Sequence, residues 1–150
     1  RTTVAEAAEQ CGASVHRGGT YVCIEGPAFS TRAESELYRS WDVDVIGMTN
    51  YQEARLAREA ELCYTTMACV TDYDCWHAGE EAVTVQMLLD NLRHNTKLAQ
   101  QVIRRVVPVI ETDRECPCVS ALENAILTDR EAIPPATKEK VAPIIGSYIG

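Results

Sequence analysis

The apolar positions of the chain fall into two rhythms. Val85, Leu88, Leu89 and Leu92, then Leu98, Val102 and Val106, recur near the 3.6-residue period of an amphipathic helix. Thr84 is placed to cap that helix, which is expected to run to about Val107, with Pro108 near its end. Three short β-rich runs precede it: Thr20-Tyr21-Val22-Cys23-Ile24, opened by Gly18-Gly19; Val43 to Met48; and Tyr64 to Thr71. Helical segments separate them. Ser30-Thr31 with Glu34 reads as a capping box that starts a helix over Arg32 to Trp41, and Asn50 with Glu53 is a second cap signal before Glu53 to Leu62. A short helix from Thr3 to Gln10 is closed by Cys11-Gly12. After the long helix, Glu111 to Cys118 reads as a loop, Val119 to Leu127 as a helix, and Pro134-Pro135 as an interruption of the tail. Residues 72 to 82 read as a loop.

Strand and helix thus alternate as βαβαβα, which predicts parallel strands joined by right-handed crossovers in an α/β fold. In such sheets ligands bind beyond the carboxyl ends of the strands. Those ends carry Glu25-Gly26-Pro27, Met48-Thr49-Asn50 and Thr71-Asp72, three polar or glycine-rich termini expected to face one rim.

Composition narrows the partners. The chain has 150 residues, 46% hydrophobic and 24% charged, with a net charge of −8. That balance suits a globular domain and disfavours a nucleic-acid backbone or an anionic membrane as partner. No apolar run is long enough to span a bilayer, and the polar, alanine-rich start is not a signal peptide. An odd count of seven cysteines without a secretion signal favours a reducing, cytoplasmic setting. Cys116-Pro117-Cys118 reads either as two ordinary thiols or as a small strained disulfide. Cys63, Cys69, Cys75 and His77 offer metal-ligand atoms, but their spacing matches no paired zinc pattern, so no metal is expected.

At the rim, each group has a plain structural reading. Gly26-Pro27 makes a turn, Ser30 and Thr31 cap a helix, Met48 is a buried apolar residue, Asp72 caps a turn and Asp74 is a solvated loop acid. Together they describe a pocket with an aromatic wall at Phe29, an apolar floor, hydroxyls and two acids. That set fits a planar heterocycle which leaves as an anion and takes a proton, since a carboxyl group beside apolar walls has its pKa raised and can supply one.

Three motifs carry a family resemblance: Gly19-Thr20-Tyr21-Val22-Cys23-Ile24-Glu25-Gly26-Pro27-Ala28-Phe29-Ser30-Thr31-Arg32-Ala33-Glu34, Val45-Ile46-Gly47-Met48-Thr49, and Val70-Thr71-Asp72-Tyr73-Asp74-Cys75-Trp76. Their order and spacing resemble the purine nucleoside phosphorylase superfamily, and within it the 5′-methylthioadenosine phosphorylases. The resemblance runs from about residue 18 through the long helix and more weakly to the end. It implies a phosphorylase/hydrolase-like mixed sheet flanked by helices, of which these residues hold a βαβαβα portion, assembled as a homotrimer or homohexamer. It implies phosphorolysis of 5′-methylthioadenosine to adenine and 5-methylthioribose 1-phosphate, with phosphate as co-substrate and no cofactor.

Residue by residue, Phe29 matches the group that packs on the purine. Ser30 stands where 6-oxopurine enzymes carry a glutamate. Met48 matches the residue under the ribose, and Thr49 a hydroxyl near ribose or phosphate. Gly47 replaces an asparagine of some members, so any contact of that amide is lost. Thr71 ends the third strand. Asp72 matches an asparagine that serves N7 and the 6-substituent in oxopurine enzymes, and an aspartate there suits adenine; Asp74 lies beside it in the same role. Val85 replaces a histidine that faces the 5′-hydroxyl, and with Leu88 and Leu89 it offers an apolar slot for a methylthio group. The C-x-C pair resembles one in thermophilic members, which raises the chance of a disulfide. The family's chain is about twice as long, and its phosphate loop and Arg-His pair are not among these residues. Residues 1 to 150 therefore read as the carboxyl-terminal part of one phosphorylase domain. The alternatives are a 6-oxopurine phosphorylase and a catalytically incomplete fragment that acts only in assembly. Trp76 and the loop after it would suit a subunit contact.

Overall fold

The structure is a computed structural model that describes residues 1–77 and 84–150. The expected loop to residue 82 lies partly outside them. Two compact units are present: Arg1–Thr49 with Thr66–Glu111, and Asn50–Thr65 with Thr112–Gly150.

The first unit holds α1 (Thr2–Gln10), β1 (Tyr21–Cys23), α2 (Arg32–Ser40), β2 (Val45–Gly47) and α4 (Val85–Val106). The strands β1 and β2 pair in parallel, with Tyr21 opposite Val45, Val22 opposite Ile46 and Cys23 opposite Gly47. A parallel pair needs a crossover, and α2 supplies it. Asp44 sets the entry to the ladder: its Oδ2 accepts the Thr20 N–H at 2.7 Å. Gly19 makes room, because a Cβ there would lie 2.8 Å from that oxygen. The core of the unit is small. Ala7 and Ala8 of α1 meet Val102 and Val106 of α4, with Val4, Cys11, Ala13 and Val15 packed around them.

The helix starts follow the sequence. Thr31 and Glu34 exchange hydrogen bonds in a full capping box, with Thr31 N–H on Glu34 Oε2 at 2.7 Å and Glu34 N–H on Thr31 Oγ1 at 3.3 Å. The Thr31 N–H and, after it, the Thr31 hydroxyl, which donates to the same oxygen at 2.8 Å, hold the Glu34 carboxyl below its usual pKa. Thr84 Oγ1 accepts the Met87 N–H at 3.2 Å and starts α4.

The expected third strand is absent among the described residues: Tyr64 to Thr71 forms no ladder, and the sheet has two strands rather than three. The boundary between the two units falls inside this run, at Thr65 and Thr66. β-Propensity describes a residue that fits a pleated surface, and a strand exists only where a neighbour offers its N–H and C=O groups. Here the Val70 and Thr71 carbonyls accept instead from the Asn95 and Asn91 side chains, at 2.9 and 2.8 Å.

The second unit holds α3 (Tyr51–Glu59) and α5 (Pro135–Ile149). The helix expected to Leu62 stops at Glu59, because Glu61 adopts φ 54°. The Leu62 N–H then bonds the Ala57 carbonyl at 2.8 Å and the Glu61 N–H bonds Arg58 at 3.1 Å, a Schellman closure without its usual glycine. Val119 to Leu127 is not a helix either. Pro117–Ser120 is a 3₁₀ turn, followed by i→i+3 bonds such as Ala125 N–H to Leu122 O at 2.9 Å. The Leu122 N–H, which an α-helix would direct to Cys118, goes to Glu61 Oε1 at 3.1 Å. The paired prolines do not interrupt the tail but open α5. Pro135 is its first residue, where a missing N–H costs nothing.

Candidate functional site

The first strand end turns at Gly26, whose φ of 72° favours glycine. A Cβ there would meet Met48 Sδ at 2.7 Å. The glycine therefore lets the second strand end lie against the first. At Gly47 the Tyr21 hydroxyl occupies the space a Cβ would need, so the side chain missing from position 47 is replaced by a tyrosine from the neighbouring strand. Position 47 alone does not reveal this, but the parallel register, which sets Tyr21 two residues diagonal to Gly47, does.

Beyond Pro27, Phe29 is 84% exposed and stands clear as an open aromatic face. Ser30 is half-buried, and its Oγ is sequestered from solvent without a hydrogen-bond partner among the described residues. Buried hydroxyls are normally satisfied, and this one is an exception among the described residues together with the Ser35 Oγ. Met48 is 38% exposed and Thr49 is exposed.

The acid-bearing segment is held from two sides. Cys75 Sγ donates to the Ser30 carbonyl at 3.5 Å. The Arg39 guanidinium of α2 lies 3.7 Å from the centre of the Trp76 ring. Tyr73 stacks on His77 at 4.6 Å, and Trp76 meets both edge-on. These contacts bring residues 73 to 77 to the Phe29-Ser30 turn. From the other side, Asn91 and Asn95 of α4 clamp the Thr71 and Val70 carbonyls. Residues four apart share a helix face, so the two amides act together. Sequence reading missed them; the signal was two weak helix formers spaced i,i+4 just after the acidic loop.

Within this frame Thr71 is half-buried, and its hydroxyl donates to Asp72 Oδ1. Asp72 is exposed. Asp74 is half-buried and turned back on its own segment: Oδ1 accepts the Cys75 N–H at 2.9 Å, and its carbonyl accepts the His77 N–H at 3.1 Å. The two aspartates thus differ. Asp72 presents a carboxylate oriented by a neighbouring hydroxyl, while Asp74 also braces the turn. Val85, Leu88 and Leu89 lie on the first turns of α4. Val85 is 77% exposed, Leu89 is exposed and Leu88 half-buried, an apolar edge open on one side.

In the second unit, three cysteine side chains gather near the end of α3. All seven cysteines are free thiols, so Cys116 and Cys118 are not bonded to each other. Cys63, Cys116 and Cys118 bring their Sγ atoms within 4.8 Å of one another, with Cys63 and Cys116 at 3.2 Å. The hydrogen bond with Cys63 holds the Cys116 thiol below its ordinary pKa, while contact with Cys116 pushes Cys118 up. Cys69 and Cys75, which the spacing of residues groups with Cys63, belong to the other unit.

Comparison with known proteins bears on both units. The phosphorylase superfamily matches residues 1–108. The S-methyl-5′-thioadenosine phosphorylase of Geobacter sulfurreducens is 57% identical over 143 residues, covering 95% of this chain and 50% of that protein. Its counterpart from Koribacter versatilis is 56% identical and covers 98% of this chain and 50% of its own length. The chain spans about half the length of the curated relatives it matches. Among solved structures, a methylthioadenosine phosphorylase from an antarctic soil metagenomic library superposes with a TM-score of 0.85 at 44% identity, over 95% of this chain and 51% of that one. A methylthioadenosine phosphorylase from Schistosoma mansoni in complex with adenine superposes with a TM-score of 0.67 at 30% identity, over 81% of this chain and 48% of that one.

Proposed function

The chain belongs to the phosphorylase superfamily, and on that premise we propose that the protein containing it phosphorolyses 5′-methylthioadenosine to adenine and 5-methylthioribose 1-phosphate. The observation that carries this reading is the tether of the acid-bearing segment to the aromatic turn. Cys75 on the Ser30 carbonyl and Arg39 on Trp76 tie the segment after the two aspartates to the turn that carries Phe29, which supports a site where a purine stacks on Phe29 and the acids read its edge. The names of the relatives, which are methylthioadenosine phosphorylases, support the same substrate.

In this mechanism a phosphate oxygen attacks C1′ while the bond from C1′ to N9 breaks, and its electron pair moves onto the purine. The ring then takes a proton at N7. Asp72 delivers that proton, with the Thr71 hydroxyl orienting the carboxyl group, and Asp74 reads the 6-amino group. Phe29 packs on the ring and the unpaired Ser30 hydroxyl serves a ring atom. Met48 and Thr49 lie under the ribose, and Val85, Leu88 and Leu89 form the slot for the methylthio group. In this reading residues 1 to 150 are the carboxyl-terminal part of a single nucleoside phosphorylase domain, and the phosphate-binding groups come from the rest of it. The whole protein would work in the cytoplasm as a homotrimer or homohexamer. No helix among the described residues is long and apolar enough to cross a membrane.

The test is Asp72→Asn in the full-length protein, with adenine release from methylthioadenosine as readout. Loss of a general acid is expected to lower the rate by about 10²- to 10⁴-fold. Unchanged turnover would remove the acid role. Faster cleavage of inosine than of methylthioadenosine by the unmodified protein would replace the substrate assignment with a 6-oxopurine.

A further inference from the structure

The three-thiol cluster of the second unit has no part in the chemistry above. Cys63 follows the end of α3, and Cys116 and Cys118 flank Pro117 at the start of the 3₁₀ turn, 53 residues later for the nearest pair. Their approach is fixed by one residue. Glu61 accepts from Arg114 Nη1 at its carbonyl at 2.9 Å, from the Leu122 N–H at its carboxylate at 3.1 Å, and from the Tyr148 hydroxyl at the same oxygen. The chain is thereby clamped two residues before Cys116 and four after Cys118, both times to the residue two before Cys63. This hub fixes the two segments, and the sulfurs meet in addition through the Cys63–Cys116 hydrogen bond at 3.2 Å. Arg114 Nη1 also stands 3.6 Å from Cys63 Sγ, a fixed positive charge beside the group.

We propose that Cys63, Cys116 and Cys118 form a binding site for a thiophilic d¹⁰ ion of the zinc class, with a fourth position open to solvent or a small ligand. Two alternatives fit the cluster less well. A disulfide requires sulfurs at ~2.05 Å, well inside the 3.2 Å between Cys63 and Cys116. Unrelated surface thiols have no reason to meet in a group of three from two distant segments. Zinc–thiolate bonds of ~2.3 Å place sulfurs roughly 3.8 Å apart in tetrahedral geometry and roughly 4.0 Å apart in a trigonal plane. Cys63 and Cys116 at 3.2 Å, and all three sulfurs within 4.8 Å of one another, lie close enough to reach those values with a small adjustment. Sulfur ligands without oxygen partners select soft ions over magnesium or calcium. Three thiolates and a divalent ion leave one net negative charge, which Arg114 offsets. Cys118 lines a cleft of about 150 Å³ together with Ala54, Arg58, Leu62, Tyr64 and Ala121, which gives an ion a way in and room for a fourth ligand. Binding transfers a sulfur lone pair from each cysteine to the ion, and the displaced thiol protons go to solvent. The consequence is a cross-link between the end of α3 and the turn after Pro117.

The full chain, reduced with a non-thiol reagent and stripped of metal under argon, is titrated with Cd²⁺. One equivalent should saturate an ultraviolet thiolate-to-metal charge-transfer band, and Zn²⁺ should displace it. Cys63→Ser, Cys116→Ser and Cys118→Ser should each weaken binding at least about tenfold, at or beyond the effect of losing an outer-shell group. Cys11→Ser, Cys23→Ser, Cys69→Ser and Cys75→Ser should leave it unchanged. A variant that loses its far-ultraviolet circular dichroism is set aside in favour of alkylation mapping on the unmodified protein. There Zn²⁺ should shield Cys63, Cys116 and Cys118 and leave the other four reactive. No stoichiometric band, shielding of a different set, or a Cys63–Cys116 disulfide in protein alkylated at lysis would each overturn the proposal.

Discussion

Asn91 and Asn95 offer the sharpest test of how the acid is positioned. Each gives one amide hydrogen bond to a carbonyl of the acid-bearing segment, to Thr71 at 2.8 Å and to Val70 at 2.9 Å. An intramolecular hydrogen bond contributes about 0.5–1.5 kcal/mol net, and these are exposed, so the lower half of that range applies. The pair then amounts to about 1–2 kcal/mol. Because tenfold in rate corresponds to about 1.4 kcal/mol, Asn91→Ala with Asn95→Ala should lower kcat for methylthioadenosine by about 5- to 30-fold in the full-length enzyme. The cost should fall on kcat more than on KM, since in the proposed mechanism the bond from Asp72 to N7 strengthens only as the base departs. Folding provides the control. Alanine is a better helix former than asparagine by a few tenths of a kcal/mol per residue, which offsets part of the stability lost with the two bonds, so the net fall should stay below about 1–2 kcal/mol. Steady-state kinetics and urea unfolding on the same preparation separate the two. A double variant that keeps full kcat refutes the positioning argument. One whose loss of stability clearly exceeds that amount assigns the asparagines to folding instead.

Two further expectations concern the frame. Gly26→Ala forces a side chain onto a backbone at φ 72° and into Met48 Sδ, so it should lower stability by about 1–2 kcal/mol, read as a shift of the urea midpoint; an unmoved midpoint would mean the turn relaxes freely. Tyr148 donates to the Glu61 carboxylate, and that bond pushes the phenol above its ordinary value of 10.0. Its contribution to stability is therefore complete below pH 10.0 and lost as pH rises through the folded value. Tyrosinate absorbance should show one late-titrating tyrosine that Glu61→Gln returns to the ordinary range, and an unchanged titration in that variant would break the assignment.

Local signals were legible wherever one residue's chemistry suffices. The Thr31–Glu34 box, the Thr84 cap and the period of Val102 and Val106 each describe a contact within a few residues, and each appears as read. Helix ends were legible at Gly12, where glycine announces the left-handed turn, and illegible at Glu61, which adopts that conformation at φ 54° with Arg114, Leu122 and Tyr148 bonded to it. Propensity carries no trace of partners drawn from the distant segment after residue 112. The third strand failed for the converse reason: its composition was right, but ladder bonds depend on a neighbour. For the site, sequence named the strand-end residues and their types. Of the clamps, Cys75 on Ser30 and Arg39 on Trp76 had no local signature, and the two asparagines only the weak one of their i,i+4 spacing.

The sequence alone determined the family, the helix starts at Thr31 and Thr84 and the chemical kinds of residue after the first two strands, because caps, periods and motifs are short-range patterns carried by consecutive residues. Tertiary structure alone decided which of those residues meet. It joined Cys63 to Cys116 and Cys118 rather than to Cys69 and Cys75, gave Asp72 and Asp74 different surroundings, and filled the space over Gly47 with the Tyr21 hydroxyl. Proximity in space is set by how helices and strands pack, and spacing along the chain does not encode it.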